Sequence, residues 1–97
     1  MTTPHFFTTV WKRNKDQQCF VSVPHRIQEY ERFEPGATVI IALADEPAVR
    51  MRSYVRDKGD GSRYAKIMRR RQAELADRFA EGEAVRVDLV EEEEVGE

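Results

Sequence analysis

The chain repeats itself once, and that repeat constrains its fold more than any other feature. Residues 31–46 align without a gap on residues 77–92. Six of the sixteen pairs are identical: Arg32/Arg78, Phe33/Phe79, Gly36/Gly82, Val39/Val85, Leu43/Leu89 and Glu46/Glu92. Unrelated segments would share about one, because a typical residue type is only about 5–7% of composition. Both copies read the same way. An aromatic residue ends a helix, a glycine follows where a left-handed turn is needed, and apolar residues then recur as in a strand. A chain of 97 residues carrying two such corners is expected to form a single domain over residues 1–90. The expected class is α+β: a small curved sheet or barrel-like domain built from two related helix–turn–strand units, with two helices. A domain this small has a thin core and gains from pairing with another copy, so a homodimer is expected.

The segments around the corners differ. Phe6 to Trp11 is rich in aromatic and β-branched residues and reads as a strand. Cys19 to Val23 reads as its hairpin partner across a polar turn. Pro24 suits the first turn of a short helix carrying Ile27, Tyr30 and Phe33. Thr38 to Ala44 is apolar nearly throughout, as in a strand covered on both faces. Ala48 to Arg56 alternates strictly, with Val49, Met51, Ser53 and Val55 on one side and Arg50, Arg52, Tyr54 and Arg56 on the other. For residues 63–68 two readings compete. A complete repeat makes them a strand matching Cys19–Val23. Local propensity instead favours a helix running from Arg63 through Leu75 and Phe79, and it is the preferred reading. A helix starting only at Arg69 would set three arginines against the positive end of its own dipole.

The run Val21-Ser22-Val23-Pro24-His25-Arg26-Ile27, followed by Phe33-Glu34-Pro35-Gly36-Ala37-Thr38-Val39-Ile40-Ile41, resembles the AbrB/SpoVT family. The resemblance covers residues 19–44 and echoes weakly in 69–90. It implies a swapped-hairpin, DNA-binding dimer, or a related cradle-loop barrel with two such units in one chain. The family's usual Gly-Arg before the second strand is replaced here by Gln17-Gln18-Cys19. By position, the resemblance places DNA contacts on Lys12, Arg13 and Lys15.

Charge is distributed unevenly. Between Pro47 and Arg71 nine bases (Arg50, Arg52, Arg56, Lys58, Arg63, Lys66, Arg69, Arg70 and Arg71) face only Asp57 and Asp60. Residues 91–97 hold five of the eighteen acids and read as a flexible acidic tail. Cations gathered on one surface gain affinity for polyanions by releasing counterions, and Tyr54 among arginines offers a stacking surface for single strands. The expected function is therefore nucleic-acid binding, with DNA favoured over RNA, by a non-enzymatic protein such as a small transcriptional regulator. The alternative is a protein-interaction or adaptor module that uses the same basic surface for an acidic partner.

Other chemistry lacks the residues it needs. Cys19 is the only cysteine, which forbids an internal disulfide and favours a reducing, cytoplasmic setting. No apolar run approaches the roughly 20 residues that span a bilayer, and the first residues do not read as a signal peptide. His5, Cys19 and His25 are too few and too widely spaced for a zinc site. Asp57 and Asp60 lack the further oxygen ligands of a calcium loop. Nothing orients His25 towards Cys19 as a base. No catalytic residue, metal or cofactor is assigned.

Overall fold

The computed structural model describes residues 3–90. Seven strands form one sheet: β1 His5–Thr9, β2 Trp11–Lys12, β3 Cys19–Ser22, β4 Thr38–Leu43, β5 Glu46–Asp57, β6 Arg63–Lys66 and β7 Ala84–Leu89. Their spatial order is β1-β7-β4-β5-β6-β3-β2, and every neighbouring pair is antiparallel. The two ends of that order, β1 and β2, are separated in the chain only by the buried Val10. The sheet therefore nearly closes into a barrel, and closure removes the unpaired edges that an open sheet exposes.

This corrects the α+β expectation. The sole α-helix among the described residues, α1, spans Ala73–Asp77, and the first expected helix is reduced to a 3₁₀ turn at Tyr30–Arg32. Ile27, Tyr30 and Phe33 recur at intervals of three, the period of a 3₁₀ helix rather than of an α-helix. The long second helix is overturned by strand pairing. Arg63–Lys66 pairs with β3 on one side and β5 on the other, which buries Ala65 between Val21 and Val55. Tertiary pairing here overrides the helical propensity of Ala65, Lys66 and Met68. Arg71 then takes a left-handed φ of 65°, so the arginines lie in the loop before α1.

The core fills the barrel from alternating positions. Val39, Ile41 and Leu43 of β4, Met51, Ser53 and Val55 of β5, and Val85, Val87 and Leu89 of β7 point inward. Ser53 is satisfied there by donating to Lys66 O at 2.6 Å, as a buried hydroxyl requires. The outward residues of β4 are only half-buried, so that strand is covered on one face and not on both.

The two halves of the chain make matching hydrogen bonds. At the corners, Gly36 N–H donates to Val55 O and Gly82 N–H donates to Val10 O, both at 2.8 Å. Each glycine has a positive φ, 95° and 92°, where an L side chain is strained. Phe33 N–H donates to Tyr30 O and Phe79 N–H to Ala76 O, at 3.0 and 2.9 Å. Val23 N–H donates to Arg63 O and Ile67 N–H to Cys19 O, both at 2.9 Å. Strand pairing obeys the same relation. Ile41 faces Val87, and Val21 faces Ala65, so equivalent positions of the halves meet across both seams. Phe33 and Phe79 are both fully buried. No helix among the described residues is long and apolar enough to cross a membrane.

Candidate nucleic-acid interface

Strand β5 carries the centre of the basic surface. Its burial alternates as its sequence does, leaving Arg50, Arg52, Tyr54 and Arg56 exposed on the outer side of the sheet. Among the described residues, the side chains of Arg50, Arg52 and Arg56 have no hydrogen-bond or ion-pair partner. Each guanidinium is thus available without first breaking an internal contact.

Register extends this surface across four strands. Arg50 lies beside Ala42, Ala42 beside Arg86, and Arg86 beside Phe7. The next row runs Arg52, Ile40, Asp88 and His5. Small Ala42 leaves a shallow basin of about 430 Å³, bounded by Phe7, Arg86 and Arg50. Asp88 holds Arg86 in a bidentate pair, at 2.8 and 3.1 Å, and the Arg86 carbon lies 5.8 Å from the Phe7 ring centroid. The hydrogen bond that Arg86 donates to Asp88 raises the Arg86 pKa above its ordinary value. Phe7 is 61% exposed and Tyr54 45%, and they are the large apolar side chains most open to solvent among the described residues.

On its other side β5 meets a second aromatic group. Arg56 pairs with Tyr64, whose ring lies edge-on to Phe20 at 5.4 Å, and Phe20 stacks under Trp11 at 4.8 Å. Two cations cover this cluster: Arg13, 4.9 Å from the Phe20 centroid, and Lys58, 5.9 Å from that of Trp11. Trp11 Nε1 donates to Ser22 Oγ at 2.9 Å.

The remaining expected contacts are dispersed. Arg63 turns inward: its Nη1 donates to Tyr30 O at 3.1 Å and Phe33 O at 3.4 Å, and its guanidinium lies 4.5 Å from the Tyr30 ring centroid. It holds a corner together, is half-buried, and also pairs with Glu31 at 3.9 Å. Arg69 pairs with Asp77 at 2.8 Å, Lys12 with Glu81 at 3.9 Å and Arg13 with Asp16 at 2.7 Å. The Arg13 guanidinium lowers the Asp16 carboxyl to a pKa of about 2. Lys66 is half-buried on β6, while Lys15, Arg70 and Arg71 are exposed in loops. Asp57 and Asp60 accept N–H groups of Gly59 and Ser62 within their own loop. Burial raises the Cys19 thiol pKa, which disfavours the thiolate. The expected acidic tail lies outside the described residues.

Phe7, Arg86, Trp11 and Tyr64 were not singled out by the sequence. The one available signal was Arg86, which stands in the second copy of the repeat where the first has Ile40. No protein-family model matches the chain, and neither the curated proteins nor the solved structures contain a match to it.

Proposed function

We propose that the protein binds single-stranded nucleic acid along the outer face of β5, as a non-enzymatic module, with DNA the first candidate. The carrying observation is the run of three unpartnered arginines, Arg50, Arg52 and Arg56, around the exposed Tyr54. Outward side chains on one strand recur about every 7 Å, so the three cations form a line and not a point. A line of cations follows a phosphate backbone, and an exposed ring among them takes a base by stacking. Phe7 offers a second ring on the same sheet, beside Arg86. The AbrB-like resemblance adds the expectation of a regulatory role.

Fluorescence anisotropy of a labelled single-stranded oligonucleotide at low salt tests the proposal. Binding that weakens steeply with added salt supports it, with single strands preferred over duplexes of the same sequence. Absence of binding to single strands of either DNA or RNA at low salt refutes it.

A further inference from the structure

The internal relation between the halves is broken at one place, and the break leaves a cleft. At the first corner the space between β6 and the 3₁₀ turn is filled by three side chains, the Tyr30 ring with Arg63 and His25 stacked on it, His25 at 4.8 Å. The Tyr30 hydroxyl donates to Gly61 O at 2.7 Å, and the Arg63 guanidinium covers the Tyr30 ring. The matched hydrogen bonds identify their counterparts in the second half. Ala76 occupies the position of Tyr30, and Cys19 that of Arg63. Both replacements are small. Where the first half holds a phenol ring under a guanidinium, the second half has a cleft of about 420 Å³ beside Cys19, Ile67 and Ala76.

We propose that this cleft binds a planar aromatic ring carrying an anionic group, the chemistry of a mononucleotide. The argument has three parts. The frame around the cleft is the one that encloses a planar ring in the first half. Its apolar lining, Cys19, Ile67 and Ala76, suits a ring face. Its rim adds the Lys66 ammonium and the Arg70 guanidinium, which make no ion pair or side-chain hydrogen bond among the described residues. Gln18 supplies an amide for the polar edge of a base, while the Gln17 amide already donates to Asn14 O at 3.0 Å. Asp16, the acid of the lining, is already bound to Arg13 at 2.7 Å, so its charge is offset. The cleft is built from other residues than the β5 surface and does not depend on strand binding. A ring could arrive as a free nucleotide or as one nucleotide of a strand.

The test is titration of the full chain with AMP, GMP, CMP and UMP, followed by amide NMR, with ribose 5-phosphate as the anion-only control. At least one nucleotide should saturate at about 10 mM or below, a millimolar affinity being typical of so small a contact. The amides of Gln17–Cys19 and Ile67–Arg70 should shift. Ribose 5-phosphate should bind at least about tenfold more weakly, the scale of one base stack. Ala76→Tyr, which installs the residue of the first half, should abolish binding while keeping the fold. Lys66→Ala with Arg70→Ala, at the rim, should weaken it several-fold and provides the readout if Ala76→Tyr does not fold. If Ala76→Tyr also weakens oligonucleotide binding, the ring comes from a strand; if it does not, from a free nucleotide. No saturable shift, equal binding of ribose 5-phosphate, or nucleotide binding unchanged in the variants overturns the assignment.

Discussion

Replacing Arg50, Arg52 and Arg56 together by alanine is the sharpest perturbation of the proposed surface. All three are exposed on β5 and their side chains make no hydrogen bond or ion pair among the described residues, so stability should change by only about 0.5 kcal/mol per site or less. Their effect should instead appear in the salt dependence. Each phosphate neutralised on a single strand contributes about −0.7 to the slope of log affinity against log salt, so three contacts give about −2. Raising salt from about 50 to 200 mM would then cost the wild type some 15–20-fold more affinity than the triple variant. The assay is anisotropy of a labelled oligonucleotide at several salt concentrations, with urea unfolding of each variant as the fold control. Arg78→Ala is the internal reference. Arg78 is already engaged by Glu46 at 2.6 Å, so its removal should leave the slope nearly unchanged. The reasoning fails if the triple variant keeps the wild-type slope, or if Arg78→Ala lowers the slope as much.

Further outcomes follow from individual contacts. Tyr54→Ala should weaken single-strand binding about 5–150-fold, equivalent to about 1–3 kcal/mol for one stacked base, and Tyr54→Phe should not; anisotropy at fixed salt decides this. Arg63→Ala should lower stability by about 1–3 kcal/mol in urea unfolding, because the Phe33 carbonyl loses this donor and the Tyr30 carbonyl keeps only the Phe33 N–H. Arg63→Lys should not restore it, since an ammonium replaces neither the fork nor the stack. In carboxyl NMR titration Asp16 should titrate near pH 2, and Arg13→Ala should return it towards 3.8. The sign follows from a lowered folded pKa: the pair favours the fold above the ordinary carboxylate range and loses that contribution as pH falls towards 2. Removing residues 91–97 should tighten oligonucleotide binding at low salt and have no effect at high salt, where their charges are screened. The chain reaches that segment from Val90, which is bonded to Thr38, itself the neighbour of Tyr54.

What could be read from the sequence was local or periodic. The glycines at 36 and 82 and the phenylalanines three residues before them marked the two corners, because a left-handed backbone and a buried ring leave residue-type signatures. The alternation from Val49 to Arg56 gave both faces of β5. What failed depended on distant partners. Ala65, Lys66 and Met68 favour a helix when considered alone, and only β3 and β5 on either side make residues 63–66 a strand. Phe6 and Phe7 are identical as residues; strand pairing with β7 decides that the first is buried and the second 61% exposed. Arg63 looked like its basic neighbours until the fold brought the carbonyls of Tyr30 and Phe33 within its reach. The second-half cleft was hidden for a related reason. Ala76 and Cys19 are unremarkable until they are set against Tyr30 and Arg63, and that comparison needs the three-dimensional relation between the halves.

The matched seams also bear on how two chains of this protein would pair if they associated. Each half contributes strands that find their partners in the other half, and the only covalent link between β4 and β5 is Ala44–Asp45. A pair of chains can therefore trade halves, the first half of one completing the second half of the other. Every strand register is kept and only this two-residue link changes. Short links of this kind favour such exchange. Monomer and exchanged dimer would share one core and one surface, so protein concentration and the geometry at residues 44–45 would set the balance between them. Lengthening the link should favour the closed single chain.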